Sequence, residues 1–232
     1  MNTDVFSQKI ASGFQIIGHR GSAGTSPENT LTSFRAAIDA GVTAIELDIH
    51  KVENQLVVIH DDTVDRTTNG KGPVSSFTFS DLRKFETAAG PIPTLDEVLV
   101  EVPPTIGINV ELKGANTAKL AAQKLTDVDH AVLISSFDHA QLEEFSDFGT
   151  GLAVAPLFHR WQKKNLSIAH ELNALAINIS RNIASHRVVT AIKNEGFRVY
   201  VYTVNEVNEA QRLRLLGVDG IFSDFPQKII ES

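Results

Sequence analysis

Short apolar runs alternate with segments of helical periodicity along most of the chain. Eight strands separated by helices predict an α/β fold, specifically a (β/α)8 TIM-type barrel. A doubly wound sheet is the competing architecture, but it usually begins with a Gly-rich fingerprint that the turn Gly18–Gly21 lacks. The eight apolar runs that are typical of buried strands are Ile16–Ile17, Ala44–Ile49, Ile108–Leu112, Ala131–Ile134, Leu152–Ala155, Ala174–Ile179, Val199–Thr203 and Gly220–Phe222.

The helical segments lie between these runs. The first is predicted over Pro27–Ala40, with Ser26 as the N-cap, Pro27 at the first helical position and Gly41 just past the end. Six others follow the same 3.6-residue periodicity. They are predicted at Thr94–Glu101, Thr117–Thr126, His139–Phe148, Leu166–Leu172, Ser185–Glu195 and Val207–Leu216.

One further apolar run, Gln55–Ile59, does not fit this alternation. It follows Ala44–Ile49 too closely for a parallel crossover, which needs about a dozen residues. We therefore expect the two runs to form an antiparallel hairpin that turns near Glu53 and Asn54. The returning strand would place His60 at the end of the barrel where the strand Ala44–Ile49 ends.

The segment that follows the hairpin, about 61–93, is rich in Thr, Ser, Gly and Asp. Its few large apolar residues include Phe77, Phe79 and Phe85, and one short helix is predicted near Ser80–Phe85. We expect residues 1–232 to form a single barrel domain, in which this insertion is a small subdomain that caps the barrel mouth.

Composition narrows the class of protein. The formal net charge of −7 argues against nucleic-acid binding, which favours a basic surface. The absence of cysteine excludes disulfides, thiolate zinc sites and cysteine nucleophiles. Because Met1 to Gln15 contains no long apolar stretch, and the chain contains no run of about 18 apolar residues, we expect neither a signal peptide nor a membrane span. A cytoplasmic location is the simplest interpretation, and no particular oligomeric state is predicted.

Carboxylates gather at the ends of two early strands. Glu46 and Asp48 are two residues apart and therefore point to the same face, and Glu111 and Lys113 repeat the pattern on the next barrel strand. Grouped carboxylates need a cation, because burying unpaired charge is very unfavourable. We predict that Glu46, Asp48 and Glu111 bind one divalent cation, Mg²⁺ or Ca²⁺, beside the fixed charge of Lys113. The alternative is a structural Glu–Lys network at the barrel mouth.

Two histidines follow apolar runs at the same predicted end of the barrel. His19 and His60 flank the carboxylates and are predicted to be a general acid and a general base for attack on a phosphate ester. Arg20 is positioned to hold two phosphoryl oxygens, or else forms a salt bridge at the strand end. Tyr202 either walls the substrate pocket or is a core aromatic residue.

Other candidates are weaker. His50 lies on the hairpin as a possible third functional histidine, and Phe158 and Trp161 either rim the pocket or pack in the core. The remaining histidines are assigned to helix termini or polar faces. They are His130, His139, His159, His170 and His186.

The chain resembles the glycerophosphodiester phosphodiesterase family in several motifs that occur in order from about residue 15 to 227. The resemblance implies a distorted barrel of the phosphoinositide-phospholipase-like type with a small inserted subdomain. It also implies hydrolysis of small-molecule glycerophosphodiesters to sn-glycerol 3-phosphate and an alcohol. The motifs are His19-Arg20-Gly21, Pro27-Glu28-Asn29-Thr30, Glu46-Leu47-Asp48, Val57-Val58-Ile59-His60-Asp61, Thr67-Thr68-Asn69-Gly70, Pro93-Thr94-Leu95, Asn109-Val110-Glu111-Leu112-Lys113, Thr203-Val204-Asn205 and Gly217-Val218-Asp219-Gly220-Ile221.

The resemblance implies the same roles for the candidate residues as their chemistry does. Tyr202 departs from the family pattern, since many relatives have tryptophan before Thr-Val-Asn, and we expect this difference to alter the shape of the pocket more than the reaction. The matched positions are Glu46, Asp48 and Glu111 for the metal ligands, His19 and His60 for the acid/base pair, and Arg20 and Lys113 for the phosphate contacts.

Several alternatives stay open at this level. The nucleophile is either water or the neighbouring glycerol hydroxyl, which would give a cyclic phosphate first. A lysophospholipase D-type activity on lysophospholipids would need an apolar surface at the mouth, which Phe77, Phe79 and Phe85 could supply. A non-catalytic metal- or phosphate-binding barrel is a third reading, although binding alone does not require two proton carriers.

Overall fold

Eight parallel strands close into a barrel in the computed structural model, which describes residues 13–232. Residues 1–12 lie outside the described residues. They make up most of the N-terminal stretch in which we expect no signal peptide. The strands are β1 (Gln15–Gly18), β2 (Ala44–Val52), β3 (Gln55–Val58), β4 (Glu86–Thr87), β5 (Gly90–Pro91), β6 (Gly107–Leu112), β7 (Val132–Ser136), β8 (Ala153–Phe158), β9 (Ala176–Ser180), β10 (Arg198–Tyr202) and β11 (Gly220–Ser223).

Helices lie between the barrel strands and cover the outside of the barrel. None of the described helices has the length and apolar character needed to cross a membrane. The helices are α1 (Leu31–Asp39), α2 (Phe79–Leu82), α3 (Leu95–Glu101), α4 (Thr117–Leu125), α5 (His139–Asp147), α6 (Lys164–Glu171), α7 (His186–Asn194), α8 (Val207–Leu215) and α9 (Pro226–Ile230), with 3₁₀ turns at Val74–Ser76 and Arg181–Ile183.

The barrel closes because β1 pairs in parallel with both β2 and β11. The neighbouring pairs run β2–β6–β7–β8–β9–β10–β11, all parallel. Most of their residues are apolar on both faces, because one face packs inside the barrel and the other packs against the helices. The predicted (β/α)8 barrel is therefore confirmed. Parallel strands present their C-terminal ends, and the residues that follow them, at one mouth.

The predicted hairpin is also present. β3 returns antiparallel to the last part of β2, with Ile49 opposite Val58 and Val52 opposite Gln55. Glu53 has a φ of 54° in the intervening turn, the left-handed conformation that short hairpin turns require. The hairpin returns the chain to the mouth of the barrel, where His60 follows it.

The insertion packs on this hairpin around its own small core. Phe77 and Phe85 meet edge to face with ring centroids 5.0 Å apart, and the predicted short helix is α2. The insertion core buries residues from both segments. It comprises Val52, Val57, Ile59, Val64, Val74, Leu82 and Ile92, with Phe77, Phe79 and Phe85 packed against it.

The first predicted helix began too early. α1 starts at Leu31, and its N-cap is Thr30, whose hydroxyl accepts a hydrogen bond from the backbone N–H of Ser33 (3.1 Å). Ser26 is therefore not the cap, because Asn29 adopts a left-handed φ of 55° that no continuing helix accommodates. The other predicted helices agree with the structure within two residues at most boundaries. The pattern analysis missed α9 and the small β4–β5 ribbon.

Candidate active site

Three carboxylates from two neighbouring strands converge at the C-terminal mouth of the barrel. β2 and β6 pair in a register that places Asp48 beside Glu111, with Glu46 two residues earlier on β2. One oxygen from each of Glu46, Asp48 and Glu111 lies within 4.8 Å of the other two. The Glu46 and Asp48 side chains are buried, and the Glu111 side chain is 12% exposed.

This burial is electrostatically costly. Burial, together with the charges of Asp48 and Glu111, holds the pKa of Glu46 well above its ordinary value. Burial and the charge of Asp48 raise the pKa of Glu111 to about 7. The Oε1 atom of Glu46 is buried and has no hydrogen-bond partner among residues 13–232. A cluster of oxygen ligands with an unpaired buried oxygen fits a hard divalent cation.

Two cationic side chains border the carboxylates. Arg20 donates its backbone N–H to Glu46 (2.8 Å) and a guanidinium N–H to Glu28 (2.8 Å), and its Nε lies 3.4 Å from Asp48. Lys113 donates from Nζ to Glu111 (3.1 Å). Burial alone would lower the pKa of Lys113, but Glu111 and Asp48 outweigh it, so that the pKa lies above its ordinary value.

Left-handed backbone conformations orient the residues around the carboxylates. Arg20 has a φ of 50° and Asn29 a φ of 55°, which are strained for residues other than glycine. Asn29 thereby directs its amide to Asp48, with an N–O distance of 2.9 Å. Gly21 has a φ of 84°, and a Cβ there would lie 2.5 Å from the backbone of Ser33. Only glycine therefore fits between β1 and α1 at this turn.

His19 is oriented by a carboxylate from the other end of the chain. Its Nδ1 lies 2.6 Å from Oδ1 of Asp224, the residue that follows β11. Asn205 fixes Asp224 by donating to its Oδ2 (2.7 Å). The Nε2 atom of His19 lies 3.9 Å from Glu46 and lines the cavity beside the three carboxylates.

His60 has an equivalent partner in the next residue. Its Nδ1 lies 2.7 Å from Oδ1 of Asp61, which in turn accepts two hydrogen bonds from Arg66 (2.7 and 2.9 Å). Arg66 also donates to both oxygens of Glu28 (2.6 and 2.9 Å). The hydrogen bonds from Arg66 hold the pKa of Asp61 below its ordinary value, and burial lowers the pKa of His60.

These groups form one wall of a cavity of about 370 Å³. Phe137 and His159 stack on the opposite side with ring centroids 4.1 Å apart, and Tyr202 meets both rings edge-on. The Tyr202 hydroxyl is 3.2 Å from Nδ1 of His159. We call these three residues the aromatic rim. Burial, and the charge of Glu111, raise the pKa of Tyr202, so that its hydroxyl stays protonated at neutral pH.

The structure brings the predicted site residues together. Asp48 lies behind the cavity surface against Arg20 and Lys113. The other predicted residues line the cavity. They are His19, Arg20, Glu46, His60, Glu111, Lys113 and Tyr202.

Other residues differ from the sequence-based expectations. His159 lines the cavity although it was assigned to a polar face, whereas His50 is buried outside it, with Nε2 3.3 Å from the His60 carbonyl oxygen. Phe158 and Trp161 pack against the core formed by α6, α7 and the neighbouring strands rather than at the cavity. Asp224 was missed, although it follows an apolar run in the same way as the carboxylates that were identified.

Comparison with known proteins agrees with this geometry. The family model described as the glycerophosphoryl diester phosphodiesterase family matches residues 19–228. The glycerophosphodiester phosphodiesterase of Caldanaerobacter subterraneus subsp. tengcongensis is 32% identical, with 93% of this chain and 96% of that protein covered. That of Bacillus altitudinis is 31% identical, with 94% and 97% covered.

A solved structure is also similar over its whole length. It is a phosphodiesterase from Oleispira antarctica in complex with the product sn-glycerol-3-phosphate, and it is 27% identical with a TM-score of 0.91. The match covers 98% of this chain and 99% of that chain. From the match over nearly all of the described barrel, together with the relatives above 30% identity, we conclude that this chain is an enzyme and belongs to the glycerophosphoryl diester phosphodiesterase family.

Proposed function

We propose that the protein hydrolyses glycerophosphodiesters to sn-glycerol 3-phosphate and an alcohol, with one divalent cation and two histidines. The observation that carries this proposal is the convergence of Glu46, Asp48 and Glu111 at a cavity that His19 and His60 also line. The Oleispira antarctica phosphodiesterase, whose structure contains sn-glycerol-3-phosphate, supports the same product for this chain.

Glu46, Asp48 and Glu111 are the residues that would hold the cation, Mg²⁺ or Ca²⁺. When bound, a divalent cation supplies positive charge that polarises a phosphoryl oxygen and lowers the cost of attack on phosphorus. The ligand set fits because its oxygens are buried, close together and incompletely hydrogen-bonded. Arg20 and Lys113 lie against the same carboxylates and contribute two further positive charges at the phosphate position.

His60 is placed to accept the proton of the attacking hydroxyl. With its Nδ1–H donated to Asp61, its Nε2 carries the lone pair, which accepts a hydrogen bond from Lys113 (3.2 Å). Burial lowers the pKa of His60, which keeps the ring neutral at pH 7 and therefore able to act as a base. The attacking group is water or the adjacent glycerol hydroxyl.

His19 is placed to protonate the leaving alkoxide. Each of its ring nitrogens faces a carboxylate oxygen, Asp224 at 2.6 Å and Glu46 at 3.9 Å, so a ring carrying both protons has a negative partner on each side. As the new P–O bond forms, the bond to the leaving oxygen breaks and that oxygen takes the proton from His19. Positioned proton transfer of this kind contributes roughly 10²–10⁴-fold in rate.

The remaining features fit a single catalytic barrel domain with a supporting insertion. The segment about 61–93 supplies Arg66, which holds Asp61 and through it His60, so the insertion forms one side of the mouth. Phe77, Phe79 and Phe85 are partly buried against the insertion core, and this packing accounts for them without an apolar approach surface for lysophospholipids. The aromatic rim faces the open side of the cavity, where the variable leaving group departs.

The test is turnover of glycerophosphocholine with Mg²⁺, with Ca²⁺ and with a chelator, with glycerol 3-phosphate detected by coupled oxidation. We expect activity only with metal, and loss of at least about 100-fold in His19→Ala and in His60→Ala. His186→Ala, on an exposed helix start, is the matched control and should keep its activity. Full activity in the chelator, or in either of the two cavity variants, would contradict the proposed mechanism.

Two further measurements separate the alternatives. Trapping a cyclic 1,2-phosphate during turnover identifies the glycerol hydroxyl as the nucleophile, whereas incorporation of labelled water directly into the product without that intermediate identifies water. Faster hydrolysis of lysophosphatidylcholine than of glycerophosphocholine would assign the enzyme to lysophospholipids instead.

A further inference from the structure

Three polar side chains form the floor of the cavity inside the barrel. They are Asn109 on β6, Ser135 on β7 and Asn178 on β9, and all three line the cavity. Each residue is at most 1% exposed. Most neighbouring side chains of the barrel interior are apolar or aromatic, including Leu133, Ala155 and Phe222. A polar floor inside an apolar barrel therefore needs a specific explanation.

The hydrogen-bonding capacity of this polar floor is only partly used. Asn109 donates its Nδ2 to Oγ of Ser135 (2.7 Å). The Oδ1 of Asn109 and both amide atoms of Asn178 have no hydrogen-bond partner within the part of the chain that the structure describes. Buried amides are almost always paired, since an unpaired one loses its bonds to water without replacement. Asn109 and Asn178 both line the cavity, so a ligand that enters it lies against these two side chains.

The position of the polar floor indicates which part of a substrate reaches it. Asn109 is in register with Glu46, one of the three clustered carboxylates. Asn178 is in register with Tyr200, whereas Tyr202 of the aromatic rim pairs with Ser180, so Asn178 lies two residues, roughly 7 Å, deeper than the rim. Ser135 is in register with Glu111, so Asn109 and Ser135 lie level with the clustered carboxylates, while Asn178 lies below the rim on the strand beside Tyr202. A substrate whose phosphate is held at the carboxylates therefore has these polar side chains at the same depth and the aromatic rim above them.

The chemistry of the polar floor selects a hydroxyl group. An amide offers both a donor and an acceptor, and a hydroxyl group is one of the few ligand groups that can use both. A phosphate would be matched by Arg20 and Lys113 rather than by neutral amides, and an acyl chain would leave the amides unpaired. The glyceryl arm, which is common to all glycerophosphodiesters, is small and carries hydroxyls.

We propose that Asn178, assisted by Asn109 and Ser135, forms a subsite that binds the terminal hydroxyl of the glyceryl group. This proposal rests on the proposed function and adds a residue that determines specificity for the glyceryl arm. Asn178 binds substrate and takes no part in proton transfer.

The experiment compares two substrates in the metal-loaded enzyme. One is glycerophosphocholine, and the other is its analogue that lacks only the terminal hydroxyl and keeps the secondary hydroxyl beside the phosphate. We expect wild type to prefer glycerophosphocholine by about 10–100-fold in kcat/KM, which is the value of one or two well-made hydrogen bonds. In Asn178→Leu the preference should collapse to about threefold or less, through loss on glycerophosphocholine alone.

A matched control is available in the same barrel. Gln15 is also buried with an unpaired side-chain oxygen, but it does not line the cavity. Gln15→Met should leave the preference between the two substrates unchanged. Asn178→Ser, which keeps one hydroxyl, should recover part of the preference. Equal preferences in wild type and Asn178→Leu, or loss of preference in Gln15→Met, would overturn the proposed subsite.

Unfolding separates a binding role from a structural one. Replacing an unpaired buried amide by an apolar side chain of similar shape is close to neutral or stabilising, so Asn178→Leu should keep or raise the melting temperature. A lowered melting temperature with an unchanged substrate preference would assign Asn178 to the fold alone. Should a variant not fold, Asn178→Ser carries the same comparison.

Binding measurements distinguish failure of the subsite from failure of the proposed function. Calorimetry with sn-glycerol 3-phosphate and with its terminal-deoxy analogue requires no turnover. Equal affinity of wild type for both compounds would reject the subsite, even in an active enzyme. A 10–100-fold preference that Asn178→Leu abolishes, in a protein that hydrolyses neither substrate, would support the subsite and reject the proposed function.

Discussion

The Nδ1 atom of His19 lies 2.6 Å from Oδ1 of Asp224, although the two residues are 205 positions apart in the chain. The contact exists because β1 and β11 are neighbours in the closed barrel, with Gly18 in register with Ser223. The carboxylate fixes the orientation of the His19 ring, with Nε2 on the side of Glu46. Asp61 orients the His60 ring in the same way, although these two residues are adjacent in the sequence.

Asp224→Asn should lower kcat by about 10²–10³-fold with little change in KM, because the carboxylate that orients the His19 ring towards the leaving oxygen is lost. Steady-state kinetics with glycerophosphocholine measure this effect. Asp147→Asn, an exposed carboxylate at the end of α5, serves as the control and should match wild type. An Asp224→Asn enzyme with wild-type kcat would show that His19 needs no orienting partner.

Arg66 joins the insertion to the site by holding both Asp61 and Glu28. Arg66→Ala removes a positive charge that balances Asp61, so the pKa of Asp61 returns towards its ordinary value and the uncompensated carboxylate raises the pKa of His60. The acid limb of the kcat/KM profile should therefore move to higher pH, and kcat should fall by about tenfold.

Arg66→Lys keeps the charge but not the paired hydrogen bonds, and should recover part of both effects. Arg35→Ala removes another arginine–carboxylate pair, with Glu101, far from the cavity, and is the matched control. An unchanged pH profile in Arg66→Ala would mean that Arg66 stabilises the insertion without acting on His60.

The three carboxylates predict an unusual pH dependence of stability in chelator. The folded-state pKa of Glu111 is raised from about 4.5 to about 7, so the folded protein binds protons more tightly than the unfolded chain. Stability is then greatest below pH 4.5 for this group and is lost as the pH rises through about 7. The loss is on the order of 3 kcal/mol for a single buried carboxyl with this shift.

Thermal unfolding in chelator between pH 5 and about 7.5 measures this loss. Glu111→Gln should flatten the decline and should also abolish stabilisation by added Mg²⁺ or Ca²⁺. Glu143→Gln, an exposed carboxylate on α5, should change neither. If the stability of the metal-free protein rises steadily over this interval, burial and repulsion between the carboxylates do not destabilise the folded protein.

The aromatic rim predicts sensitivity to the leaving group. Phe137 is 36% exposed and stacks on His159, so its ring offers a surface to a cationic or apolar group leaving the cavity. Phe137→Ala should raise KM for glycerophosphocholine about two- to fivefold, the size of an exposed cation–π contact. KM for glycerophosphoglycerol, whose leaving group is neutral, should change less.

Tyr202→Phe provides the comparison for that prediction. It removes the hydroxyl that contacts His159 and keeps the ring, so its effect on the ratio of the two KM values should be smaller. Equal losses on both substrates in Phe137→Ala would indicate that the rim supports the shape of the cavity and does not discriminate between leaving groups.

Local patterns predicted most of the fold. The barrel strands are mostly apolar on both faces and are separated by segments of helical period. Both patterns can be recognised without knowing how the strands and helices pack together. The hairpin was predicted because two apolar runs were too close for a crossover. The start of α1 was mispredicted because Ser26 and Pro27 are good capping residues, whereas Asn29 adopts a left-handed conformation to reach Asp48.

The charged residues of the site were also predictable, because a carboxylate or histidine directly after an apolar strand stands out in a sequence. This signal identified Glu46, Asp48, Glu111, His19 and His60. It would have identified Asp224 as well, since Asp224 follows β11 in the same way.

The sequence by itself thus determined the alternation of strands and helices and the chemical types that gather at the barrel mouth. Only the tertiary structure decided which of those groups meet, because barrel closure and strand register are set by all eight strands together. That is why Asp224 pairs with His19, why His159 joins the rim with Phe137, and why Asn178 faces the cavity with its amide unpaired. No local pattern in the sequence indicates these contacts, because they depend on which strands become neighbours in the closed barrel.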